Sequence, residues 1–138
     1  MNNKKGETDL QFLLEHMEPK LEDQELVFCS LPFEQAEKYI PDCQGYYLEQ
    51  EGVTLILNRQ RADSDNLSND LVFKRISLMV HSSLAAVGFL ARVTEILAAQ
   101  GISVNVVSAY YHDHLYVKAD QAENAFNILK LWQNKLNE

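Results

Sequence analysis

The 138-residue sequence is short of cysteine and of basic residues, and no apolar run in it is long enough to cross a bilayer. The two cysteines, Cys29 and Cys43, lack CxxC spacing and form no metal-site pattern. Twelve Lys and Arg stand against twenty Asp and Glu, a net charge of −8. That balance argues against nucleic acid, whose phosphates need a basic face, and against anionic membrane surfaces. The opening MNNKKGETD has no apolar signal core. The expected setting is therefore soluble and cytoplasmic, with reduced thiols. GxSxG, P-loop and GxGxxG patterns are all missing. We assign no catalytic residue and expect no cofactor and no metal.

What is present is apolar patterning. Apolar residues make up 46% of the chain, enough for one ordinary domain or two very small ones. Glu7 to Met17 reads as a helix with Leu10, Leu13, Leu14 and Met17 on one stripe and capping-box spacing at Thr8 and Gln11. Pro19 ends it. ELVFCSL reads as a buried strand that takes in Cys29, and PFEQAEKYI as a short helix with Pro32 at its start. YYLEQ and VTLILNRQ, divided by Glu51-Gly52, read as a hairpin. RADSDNLSND reads as a solvated linker. Its Asp63 and Asp65 do not make a calcium loop, because Ser68 stands where that loop requires glycine.

The second half carries stronger signals. LVFKRISLMVH is a long strand with Ile76, Leu78 and Val80 on one face. A helix is expected from about Ala85 to Gln100, with Ala86, Leu90, Val93 and Leu97 in step and Gly101 at its C-terminal cap. ISVNVVSAYY is a strand with Ile102, Val104 and Val106 inward. HLYVK is its hairpin partner through His112-Asp113. The last helix buries Ala122, Ala125, Phe126, Leu129, Trp132 and Leu136. The halves read α-β-α-β-β and β-α-β-β-α, the same cycle with the closing helix of the first moved to the N-terminus. We therefore expect an α+β protein of two pseudo-repeated helix-on-sheet subdomains, residues 1–61 and 71–138, joined by a linker over 62–70.

The stretch HSSLAAVGFLARVTEILAAQGISVNVVSAYYHDHLYV resembles an ACT domain, the small ligand-binding module of aspartate kinases and other enzymes of amino-acid metabolism. LARVTEILAAQGISVNVVS carries most of the likeness. With GETDLQFLLEHMEPKL and VFCSL included, nearly the whole chain resembles small stand-alone bacterial proteins with two ACT-like units. The resemblance implies two ferredoxin-like βαββα units without catalytic residues, working as a regulatory sensor. It further implies a small-molecule ligand of the amino-acid class, held between ACT units, and a homo-oligomer.

Carried onto this sequence, the family's ligand loop is His81, Ser82, Ser83, Leu84, Ala85, Ala86, Val87 and Gly88. The strand positions supplied by the neighbouring unit are Ser103, Asn105, Val106 and Val107. Ser103 departs from the Asn common in aspartate kinases, and the loop is longer than theirs. A helix N-terminus has unpaired amides and favours a negative group, so a ligand carboxylate suits the loop. Ser82 or Ser83 serves there either as a plain helix cap or as a ligand donor. Asn105 is unusual on a strand and needs a partner if buried. His112 and His114 invite a metal reading, but Asp113 falls in an expected tight turn and two histidines do not close a zinc site. Tyr46, Tyr47, Tyr110 and Tyr111 are expected to bury a ring and leave a wet hydroxyl. The alternative function, from another class, is an interaction module that dimerises through a sheet edge or holds a partner protein without a small ligand.

Overall fold

A computed structural model describes residues 6–138. In chain order the elements are α1 (Leu10–Glu15), β1 (Pro19–Leu21), β2 (Leu26–Leu31), α2 (Phe33–Ala36), a 3-10 turn (Glu37–Asp42), β3 (Gly45–Glu49), β4 (Gly52–Asn58), α3 (Arg59–Ser64), β5 (Phe73–Leu78), α4 (Phe89–Ala99), β6 (Val104–Ser108), β7 (Asp113–Lys118) and α5 (Ala119–Leu136). They sort into two compact units. One is Gln24–Phe73; the other joins the described residues up to Asp23 with Lys74–Glu138.

The Gln24–Phe73 unit is a βαββα run. Its strands lie in the order β3-β4-β2, all antiparallel. Val27 and Cys29 on β2 and Val53, Leu55 and Leu57 on β4 alternate inward, as a half-buried sheet requires. They pack with Ala36, Tyr39 and Ala62. Cys29 is buried as expected, and burial pushes its thiol pKa up. Asn58 caps α3, its side-chain oxygen accepting from the Gln60 and Arg61 amides.

That helix corrects the expected organisation. The polar stretch over 62–70 does not begin as a linker, because α3 runs to Ser64 and closes this unit. The first unit therefore keeps its closing helix in sequence, rather than borrowing one from the N-terminus. The physical reason is that α3 buries only Ala62, so RQRADS has no apolar stripe to read. Its charges are used locally: Arg61 pairs with Asp42 at 2.9 Å and with Asp65 at 3.4 Å, and Arg59 with Asp63 at 3.5 Å.

The N-terminal helix belongs to the other unit. There the strand order is β1-β5-β7-β6, with α1, α4 and α5 supplying the apolar side chains that cover the sheet. The core gathers Leu13, Leu14 and Met17 from the N-terminal segment with Ile76, Leu78, Val93, Leu97, Leu115, Val117, Ala125 and Leu129. Sequence reading missed β1, whose three residues pair antiparallel with β5 from Pro19↔Leu78 to Leu21↔Ile76. Proline is tolerated at the first position of such a strand. Two contacts fasten the α1–β1 corner to α5: the Glu18 amide donates to Gln133 Oε1 at 3.0 Å, and Asn137 Nδ2 to the Glu15 carbonyl at 2.9 Å.

Other boundaries move for identifiable reasons. Asp9, not Thr8, caps α1, accepting from the Phe12 amide at 3.1 Å. Helix α4 starts at Phe89 rather than Ala85, because Gly88 at φ +88° breaks the chain into it. Val106 lies 36% exposed rather than inward, since β6 ends the strand order and has only β7 beside it among the described residues. Helix α5 buries Ala122, Ala125 and Leu129, with Phe126, Trp132 and Leu136 packed beside them. No helix among the described residues is long and apolar enough to cross a membrane.

Met17 is fully buried in the core that Trp132 touches, and Trp132 is the sole tryptophan. Met17→Ala should cost about 2–5 kcal/mol. Denaturant titration followed by Trp132 fluorescence should show the midpoint falling. An unmoved midpoint would contradict the placement of the N-terminal segment in this unit.

Candidate functional site

The segment from Met79 to Gly88 joins β5 to α4 and forms one wall of a cavity of about 150 Å³. The wall consists of Ser82, Ser83, Leu84, Ala86 and Gly88. Phe89, Leu90 and Ala91 from the first turn of α4 face it, with Ser108 at the end of β6 and Asp113 at the start of β7.

Asp113 is the residue that sequence reading misplaced. It is not a solvated turn residue but the first residue of β7, only 4% exposed. The missed signal is period-two alternation: Asp113 shares a face with Leu115 and Val117, both fully buried in the core. Ser82, 8% exposed, donates its hydroxyl to Asp113 Oδ2 at 3.0 Å. Neither serine caps α4. Ser83 Oγ instead accepts from the Ala85 amide at 3.1 Å, a local turn. The cap position is Gly88, so no side chain bonds the first-turn amides of α4.

A short strap holds the loop from outside. Glu7 forms a parallel bridge with Ser82: its amide donates to the His81 carbonyl at 2.8 Å, and its carbonyl accepts from the Ser83 amide at 2.9 Å. Gly6 lies so close that a Cβ there would stand 2.4 Å from the Ser83 nitrogen. A second cavity, of about 180 Å³, opens beside the strap between Gly6, His81, Ser83, Leu84 and Tyr110.

The predicted site residues thus divide. Ser82, Ser83, Leu84, Ala86 and Gly88 line the first cavity. His81 turns to the second, its ring 5.0 Å from that of Tyr111. Val87 is 83% exposed and lines neither cavity. Ser103, Asn105, Val106 and Val107 also line neither; all four are exposed on or beside β6. Asn105 is therefore not a buried amide in need of a partner. Ser108, Asp113 and the first turn of α4 are the cavity residues that sequence reading did not find.

On the opposite face of β7, His114 Nδ1 lies 2.8 Å from the hydroxyl of buried Ser77. Desolvation holds the His114 pKa below its ordinary value; nearby Arg75 and His112 add to the effect, while Glu22 and Asp113 oppose it. Arg75 makes a two-point pair with Glu22 at 2.6 and 2.9 Å. No group of three or more His, Cys, Asp or Glu among the described residues is placed to hold a metal ion.

Comparison with known proteins now adds a name for the architecture. Family models described as ACT domain match residues 5–74 and 74–130. The chain belongs to the ACT-domain family. It carries two ACT units in tandem, and the second match opens where the Lys74–Glu138 segment begins. The first match starts ahead of its compact unit and takes in α1 and β1, which pack with the later segment. A crystal structure of a Vibrio cholerae protein of unknown function, described as a possible transport protein, is 35% identical over 90% of this chain and 95% of its own, with a TM-score of 0.80. An Agrobacterium tumefaciens protein is 19% identical over 83% of this chain and 87% of its own, at 0.68. The ligand-free regulatory subunit of aspartate kinase from Thermus thermophilus is 7% identical over 82% of this chain and 94% of its own, at 0.62. These last two are likenesses of fold. No functionally curated protein matches the sequence.

The lowered His114 pKa fixes a sign. The folded state resists a proton that the unfolded chain accepts at its ordinary pKa near 6.5. This group's stability contribution is full above about pH 6.5 and is lost as pH falls through the depressed folded value. Stability measured against pH should decline on that acid side, and His114→Gln should flatten that part of the curve. An unchanged slope in the variant would contradict the assignment.

Proposed function

We propose that this chain is a non-catalytic regulatory protein that senses an amino acid or similar small metabolite at the Met79–Gly88 loop of its second ACT unit. The observation that carries the reading is the cavity itself. It brings five of the predicted loop residues together with helix amides that no side chain caps and with a buried carboxylate. A ligand carboxylate placed at those amides would gain from unpaired donors and from the helix dipole. Membership in the ACT family supports a regulatory role, as does the regulatory setting of the Thermus thermophilus fold relative.

The residues outside the cavity fit an oligomeric site. Ser103, Asn105, Val106 and Val107 lie on or beside an edge strand that has no outer partner among the described residues. Supplied by a neighbouring ACT unit, they would complete the second wall, which makes a homo-oligomer the expected state. A second reading draws on the same surface. Leu84, Val87, Tyr110 and Tyr111 are 48–83% exposed, and exposed apolar side chains favour an interaction module that holds a partner without a ligand.

A thermal-shift screen of the amino acids and common metabolites, each at millimolar concentration, separates the two. A ligand at a hundred times its dissociation constant stabilises by about 2.7 kcal/mol, a midpoint shift of several degrees. Ala91→Leu, at an exposed helical position that lines the cavity, should weaken the hit with the fold retained. A flat screen, together with mass that rises with concentration, would overturn the sensor reading in favour of the interaction module.

A further inference from the structure

The cavity contains one feature that the loop resemblance does not supply. Asp113 is 4% exposed, and among the described residues it takes part in no ion pair. The side-chain donor to it among the described residues is the neutral Ser82 hydroxyl, which bonds Oδ2. A buried carboxylate without a cation is costly, and a ligand that brings one is favoured by the relief. At the α4 end, the same cavity has main-chain amides that favour an anion.

One pole for a cation and one for an anion are the complement of a zwitterion. We propose that Asp113 receives the ammonium group of the ligand, and that the ligand is an α-amino acid with an uncharged side chain. This rests on the sensor reading above. Charge sets the rest of the specificity. Leu84, Ala86 and Ala91 line the space around the two poles, and no basic residue lines it. A side-chain carboxylate has no partner there. A diamino acid brings a second cation, and Asp113 is the one carboxylate that lines the space. A 2-hydroxy acid has the carboxylate but leaves Asp113 without its cation.

The test is calorimetric titration of the full chain with L-alanine, L-serine, L-lactate and L-lysine, repeated on Asp113→Asn. The variant keeps an oxygen for Ser82, removes the charge and puts an NH2 donor in place of the other oxygen. The wild type should bind L-alanine or L-serine well ahead of L-lactate and L-lysine. Asp113→Asn should lose about tenfold or more in affinity for the amino acid, as expected for a hydrogen bond to a charged group. L-lactate binding as tightly as L-alanine, tighter binding of L-lysine, or undiminished affinity in the variant would overturn the assignment. The alanine–lactate comparison on the wild type decides the point even if the variant fails to fold. A wild type that binds no amino acid in the wider screen overturns the sensor reading itself, a result distinct from binding that ignores Asp113.

Discussion

The helix-facing layer of the second ACT unit is the constraint on which the rest depends. Ile76 and Leu78 on β5 and Leu115 and Val117 on β7 are fully buried with side chains from α1, α4 and α5. Strand alternation then dictates what each further residue on that face must do. Two residues before Leu115, the alternation meets Asp113, and a carboxylate is drawn to the end of an otherwise apolar layer. Ser82 answers it with a hydroxyl, and that bond draws the loop inward. Glu7 holds the same segment from the other side through two main-chain bonds. Gly88 then turns the chain into α4 without a capping side chain. Each step follows from the one before, and the cavity is what remains between them.

The two units differ where function would lie. In the Gln24–Phe73 unit the connection from β2 to α2 is Pro32 alone, and α2 is a single turn. A cavity of about 380 Å³ lies beside that short connection, lined by Leu31, Glu34, Gln35, Lys38, Tyr39, Asp65 and Leu67, with no long loop for a wall. In the later unit the equivalent connection runs from Met79 to Gly88. Tandem ACT units in one chain therefore need not carry tandem sites. Here the long strand-to-helix loop is found in one of them only, among the described residues.

Much of this was legible in the sequence where burial is periodic. The buried stripe of α5 and the inward face of Ile76 and Leu78 on β5 were read correctly because burial there recurs at the period of the element. The loop from His81 to Gly88 was legible through its likeness to ACT domains, and Gly88 through its place before a helical pattern. Four things were not. Helix α3 buries one alanine and spends its charges on local ion pairs, so it looked like a linker. Strand β1 has three residues, too few for a pattern, and its pairing with β5 is fixed only by tertiary packing. Asp113 lies between His112 and His114 in a stretch that resembles a turn, and only the alternation with Leu115 and Val117 betrays it. The assignment of α1 to the later unit was beyond local reading altogether, since an amphipathic helix does not say which sheet it covers.

The most direct test of the central claim is an amide nitrogen–proton correlation spectrum of the uniformly labelled chain, titrated with L-alanine to millimolar concentration. The account predicts perturbations concentrated at Ser82–Ala91, Ser108 and Asp113, with the amides of Gln24–Phe73 unmoved. Saturating binding with perturbations centred in Gln24–Phe73, or spectra that stay superimposable throughout while another amino acid shifts residues elsewhere, would contradict it.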